Sequence, residues 1–102
     1  MELAGMKSRD EIRSLIKQHQ NILADRYGVE VVGLFGSYAR QDPKPGSDID
    51  LLAEILRPVS LFELIGAEIY LSEILGIKVD LIPKRDVREE LKETILREAV
   101  GI

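Results

Sequence analysis

Five residues of this chain have the types and spacing of a site that handles phosphate and cations: Gly36 and Ser37, Asp48 and Asp50, and Asp80. Gly36-Ser37 follows the apolar run Val29–Phe35 and opens a short segment through Arg40. A glycine there lets backbone approach an anion, and the free amides at a helix start favour phosphate. The same pair also serves strand–turn–helix junctions for steric reasons alone. In Asp48-Ile49-Asp50, strand alternation puts both carboxylates on one face, about 7 Å apart, with Ile49 facing the other way. Two such carboxylates repel unless water or a cation separates them; solvated edge carboxylates are the plain alternative. Asp80 sits among apolar neighbours in Lys78-Val-Asp-Leu-Ile82, which reads as a central strand, where a carboxylate is unusual. A solvent-facing side of the sheet would also accommodate it. If the two strands lie side by side, three carboxylates converge, and hard oxygen ligands suit Mg²⁺ or Mn²⁺. Two ions about 3.5–4 Å apart would activate a hydroxyl and stabilise a leaving pyrophosphate.

The elements that must position these residues follow from periodicity and punctuation. Ser8-Arg-Asp-Glu11 has capping-box form and opens an amphipathic helix to about Arg26, stopped by Gly28. Val29–Phe35 is β-branched and apolar on both faces, as in an interior strand. Gly36–Arg40 allows one helical turn, and Gln41–Ser47, with two prolines and a glycine, is a loop. A second strand runs over Asp48–Glu54. Ser60-Leu-Phe-Glu63 is another capping box, opening a helix to Leu75 with Gly76 as its stop. Ile77–Ile82 is a third strand, closed by Pro83. Asp86 is then expected to cap a last helix to Glu98, with Val87, Leu91, Ile95 and Ala99 at helical spacing.

Composition sets the frame. The 102 residues hold 14 Lys+Arg against 18 Asp+Glu, a net charge of −4, with 45% hydrophobic and 31% charged residues. That describes one globular domain over residues 1–102, its core at 8–99, with a modest apolar interior. An acidic chain is a poor candidate for tracking along nucleic acid, so stable nucleic-acid binding is not expected. No cysteine is present, which excludes disulfides, zinc–thiolate sites and thiol catalysis. No apolar run suits a leader or a bilayer span, and the expectation is a cytoplasmic protein without membrane contact.

Taken together, Gly36-Ser-Tyr-Ala-Arg40, a loop, Ser47-Asp-Ile-Asp-Leu51 and Val79-Asp80-Leu81 resemble the minimal nucleotidyltransferases of the polymerase-beta superfamily. Their signature is Gly-Ser, then Asp-x-Asp on the next strand, then a third Asp on a later strand. The resemblance covers Val29 to Pro83 in motif and nearly the whole chain in element order. One position departs: many relatives follow Ala-Arg with Gly, where this chain has Gln41.

The resemblance implies an α+β fold of αβαβαβα order, with a small mixed sheet flanked by helices. It implies that Gly36 and Ser37 hold the β- and γ-phosphates of ATP. It makes Asp48, Asp50 and Asp80 both the catalytic residues and the ligands of two Mg²⁺ ions, or Mn²⁺. The implied reaction transfers AMP with release of pyrophosphate. Small members resemble antitoxins paired with a HEPN-type ribonuclease toxin, which they AMPylate, typically on tyrosine.

Other residues invite plainer readings. Arg40 and Lys44 could touch a triphosphate, or be surface ion-pairing cations. His19 reads as a packed or edge histidine, and Tyr27, Tyr38 and Tyr70 as packing residues. The helix Leu61–Leu75 is apolar over more than one face, with Glu63, Glu68 and Glu73 as its only charges. Such a surface meets either another chain, in a hetero-complex or an oligomer, or neighbouring helices of its own. Two further functions stay open: an antitoxin acting by binding alone, and transfer to a small molecule. The intact set of three aspartates favours an enzyme over a pure binder. No separate acceptor domain for a small molecule is expected within these 102 residues.

Overall fold

The computed structural model describes residues 7–102. The reading of the first six residues as part of a leaderless N-terminus lies outside them. In chain order the elements are α1 (Arg9–Ile22), continued by a π turn (Leu23–Tyr27), β1 (Val29–Phe35), α2 (Ser37–Arg40), β2 (Ile49–Ile55), α3 (Leu61–Leu75), β3 (Val79–Pro83), a 3₁₀ turn (Lys84–Asp86), α4 (Glu89–Glu98) and β4 (Val100–Gly101).

Both expected capping boxes form. The Ser8 hydroxyl accepts the Glu11 amide at 3.1 Å, and Glu11 accepts the Ser8 amide at 2.8 Å. Ser60 and Glu63 repeat the exchange at 3.2 and 3.0 Å, and α3 ends on Gly76 in the left-handed region, φ 69°. These bonds satisfy amides that the first turn would otherwise leave without acceptors.

The sheet order is β3-β2-β1-β4, with β1 antiparallel to β2 and β4, and β2 parallel to β3. β1 is thus an interior strand, as its two-sided apolar pattern requires. Alternate residues of β2, Ile49, Leu51 and Ala53, enter the buried core. There they join Ile12 and Ile16 of α1 and Ala67, Leu71 and Leu75 of α3. Asp50, Leu52 and Glu54 therefore occupy the opposite face. Leu52 is buried there and lines a groove with Val87, Ile95 and Leu96. α1 and α3 thus cover one side of the sheet, and α4 lies over part of the other.

Three expectations need correction. β3 is an edge strand, not a central one; its Pro83, which has no amide to give a second neighbour, suits an edge. Asp86 does not cap a helix: it closes the 3₁₀ turn, where the Val87 amide donates to Lys84 O at 3.2 Å. Val87 and Arg88 are extended, and α4 begins at Glu89 with no side-chain cap. Finally, β4 was not anticipated. Its two residues pair with Gly33 and Leu34, too short a stretch to show alternation.

Beyond β4, the edge of β1 is finished by a side chain. Gln20 Nε2 donates to Val31 O at 2.8 Å, and the Val31 amide donates to Gln20 Oε1 at 3.1 Å. The outer face of α3 stays bare: Leu61 and Phe62 are 71% and 86% exposed, and Ile65 and Ile69 are exposed beside them. Among the described residues no helix covers them. Among the described residues no helix is long and apolar enough to cross a membrane.

Candidate active site

Asp50 and Asp80 are direct register partners across the parallel pair β2–β3. Asp48 lies just before β2, and the Ile49 amide between the two aspartates donates to Lys78 O at 2.9 Å. The side-by-side strands on which the three-carboxylate reading depended are therefore present. β1 brings the fourth element: Phe35 pairs with Asp50, so Gly36 follows directly over the aspartate. A Cβ on Gly36 would collide with the Asp50 carboxylate, and its φ of 79° is itself one that side chains rarely tolerate. Glycine is required here twice over. Ser37 then opens α2, where the first amides of the turn have no partner within it.

Gln41 ends α2 in the left-handed region, φ 63° and ψ 34°, the one described non-glycine residue with positive φ. The chain thus makes the turn a glycine would make, with a side chain that disfavours it. The departure from the family motif leaves the turn intact.

The electrostatics are those of crowded carboxylates. Burial, then the Asp80 and Asp48 charges, push the Asp50 carboxyl above the ordinary aspartate range, with Arg40 and Lys78 opposing. Burial, then Asp48, also raise the phenol of Tyr38, which is buried beside the site. Lys78 reaches Asp48 Oδ2 at 3.6 Å and Asp80 Oδ1 at 3.5 Å. Asp80, then Asp48, push its ammonium above the usual lysine range. Sequence reasoning passed over Lys78, although it stands two residues before Asp80 and so on the same strand face.

It also missed what fixes β3. The Val79 amide donates to Ser72 Oγ at 2.9 Å, and the Leu81 amide donates to Glu68 Oε2 at 2.8 Å. Two α3 side chains thus close the outer edge of the strand on either side of Asp80. Glu68 is therefore not a free rim charge, nor is Glu63, which pairs with Arg57 at 2.9 Å.

Arg40 takes the ion-pairing role, 3.2 Å from Glu98 and 3.5 Å from Asp42. Lys44 is exposed on the loop. His19 Nδ1 lies 2.6 Å from the Tyr70 hydroxyl, and Tyr70 packs against Tyr27, so all three are packing residues.

The donor set fits a hard divalent cation: every ligand on offer is a carboxylate oxygen, and two of the three already share one cation, the Lys78 ammonium. Among the described residues no three acidic or imidazole side chains are drawn close enough to grip one ion as they stand. Asp48 and Asp80 stand either side of the lysine instead.

Comparison with known proteins gives a consistent result. A family model described as the nucleotidyltransferase domain matches residues 16–102. The chain is 39% identical over 98 residues to the protein adenylyltransferase MntA of Thermococcus cleftensis, covering 96% of this chain and 99% of that one. It superposes on a minimal nucleotidyltransferase with a TM-score of 0.77 at 29% identity, over 94% of this chain and 97% of the other. It also shares its fold, at a TM-score of 0.63 and 19% identity, with a chain of the complex between tri-AMPylated Shewanella oneidensis HEPN toxin and MNT antitoxin. That match covers 88% of this chain and 70% of the other.

Proposed function

Because the chain belongs to the nucleotidyltransferase family, we propose that it transfers AMP from ATP to a hydroxyl, a tyrosine, of a HEPN-type toxin and so acts as its antitoxin. The observation that carries this reading is the register pairing of Asp50 with Asp80, with Gly36 seated against Asp50. No demand of folding explains two like charges side by side on a sheet, where they cost stability. Support for the substrate class comes from the Thermococcus cleftensis relative, named as a protein adenylyltransferase. Support for the partner comes from the AMPylated toxin complex that uses the same fold.

In this mechanism the acceptor hydroxyl oxygen attacks the α-phosphorus of ATP and gives up its proton to solvent water. The bond from that phosphorus to the bridging oxygen breaks, and pyrophosphate leaves. Gly36 brings backbone, unobstructed by a side chain, to the β- and γ-phosphates, and the Ser37 amide and hydroxyl donate to them. Asp48, Asp50 and Asp80 would hold Mg²⁺. When bound, Mg²⁺ supplies charge neutralisation for the triphosphate and lowers the pKa of the acceptor hydroxyl. Asp80, on the edge strand, would hold the metal near the attacking hydroxyl, as the family resemblance implies. Catalysis of this type is positioning and electrostatics.

The bare face of α3 favours a second reading. Leu61, Phe62, Ile65 and Ile69 offer an apolar contact for a partner, and tight binding alone could silence a toxin. One experiment separates the two. The protein is incubated with α-labelled ATP, Mg²⁺ and the protein encoded beside it. Label on a tyrosine of that neighbour, absent with Asp50→Asn, is the expected result. A neighbour neutralised without label leaves sequestration.

A further inference from the structure

Lys78 is placed as no ordinary surface lysine is. Its backbone is pinned, since its carbonyl accepts the Ile49 amide between Asp48 and Asp50. Its side chain is 70% exposed, yet its ammonium reaches two aspartates, one just before β2 and one in β3, at 3.6 and 3.5 Å. The other cation near Asp50, Arg40, is held by Glu98 and Asp42. Lys78 thus bridges two of the carboxylates that the proposed reading assigns to divalent metal.

We propose that Lys78 is the resident countercation of the site: it holds Asp48 and Asp80 while no divalent ion is bound, and must leave when one enters. The proposal rests on the metal-dependent reading above. Its physical content is competition. An ammonium at about 3.5 Å and a Mg²⁺ ion, which takes oxygens at about 2.1 Å, cannot share the same gap between two carboxylates. Lysine suits the task because its charge sits on a flexible stem and no fixed fork geometry ties it down. Without it, three clustered carboxylates would repel one another in the empty protein. With it, the site is screened at rest and its affinity for metal is set lower than the carboxylates alone would give.

The test is Mn²⁺ binding by the full chain without nucleotide, read from the loss of the free-ion electron paramagnetic resonance signal. Lys78→Met is expected to tighten Mn²⁺ binding about tenfold. Lys84→Met removes the same charge from an ion pair with Glu54, and is expected to change it less than about twofold. Lys78→Arg keeps the bridging charge and should bind no more tightly than wild type. A second measurement needs no variant to fold well. In [¹³C]lysine-labelled wild-type protein, the Lys78 ε-methylene resonance should shift on Mg²⁺ addition and saturate with the ion. Unchanged or weaker Mn²⁺ binding by Lys78→Met, or a Lys78 resonance indifferent to Mg²⁺, overturns the proposal. If wild type binds no Mn²⁺, or Asp50→Asn and Asp80→Asn bind it equally well, the metal reading falls too. Binding lost in the aspartate variants but unaltered in Lys78→Met removes the countercation alone.

Discussion

The Glu68 carboxylate accepts the Leu81 amide at 2.8 Å, tying α3 to the strand that carries Asp80. The strand's free edge is thereby used up inside the molecule, and the aspartate is aimed by a residue with no part in the chemistry. Glu68→Ala is expected to lower stability by about 1–2 kcal/mol and to reduce AMP transfer. Glu68→Gln, whose amide oxygen still accepts, should keep most of both. Thermal melts and transfer assays on the two variants check this. Equal activity in Glu68→Ala and wild type would show that β3 needs no such tie.

Asp50 should show the opposite signs for function and stability. Its carboxyl is raised in the folded protein, chiefly by burial and then by Asp80 and Asp48. The native state therefore holds this proton more firmly than the unfolded chain does. Asp50's contribution favours folding below the ordinary aspartate range and is lost as pH rises through the raised value. Asp50→Asn, neutral throughout, should melt higher than wild type at pH 7 and lose that advantage in acid. Transfer should fall by about 100-fold or more. A variant less stable than wild type at pH 7 would contradict the crowding.

Gly36→Ala joins two faults, a positive φ and a Cβ directed into the Asp50 carboxylate. The expected cost is about 1 kcal/mol or more, with transfer abolished while the circular dichroism of the fold persists. Full activity would mean that the Asp50 carboxylate can swing aside at no loss.

Gln41→Gly runs the other way. The left-handed turn at φ 63° would pass to a residue that adopts it without penalty, raising stability by about 0.5–1 kcal/mol. Chemical denaturation measures it, and a destabilised variant would refute the strain.

Glu63 carries a dependence on acid. Its carboxyl is held below the ordinary glutamate range, first by the Ser60 amide and then by Arg57. A lowered folded pKa adds stability above the ordinary glutamate range, and that stability disappears as pH falls through the lowered value. Wild type should therefore lose more on moving from pH 7 to pH 3 than Glu63→Gln does. Paired melts at the two pH values decide it.

Much of this was legible in the sequence because it is local. Ser8 with Glu11, Ser60 with Glu63, Gly28 and Gly76 mark helix ends through contacts within a few residues, and each falls where the spacing puts it. The pairing of Asp50 with Asp80 was legible only as a conditional, since the neighbours of a strand are set by packing across the chain. Lys78, Glu68 and Ser72 went unread for the same reason: each acts on a residue of another element or of the strand edge. The misplaced start of α4 has a different cause. Asp86 has the right type for a cap, but the 3₁₀ turn uses it first, and the extended Val87 and Arg88 delay the helix.

β2 and β3 run parallel, so the chain must cross over through α3 before Asp80 can lie beside Asp50. Such a non-local pairing forms late and, at a sheet edge, opens early. While the chain is being made, Asp48 and Asp50 stand apart from Asp80 and are spared its added repulsion. In the mature protein, a brief detachment of β3 would dismantle the proposed chemistry and uncover Val79, while the pairing of β1 with β2 stays in place. Loss of transfer should then precede melting on gentle heating, which makes the activity a gauge of that single strand's attachment.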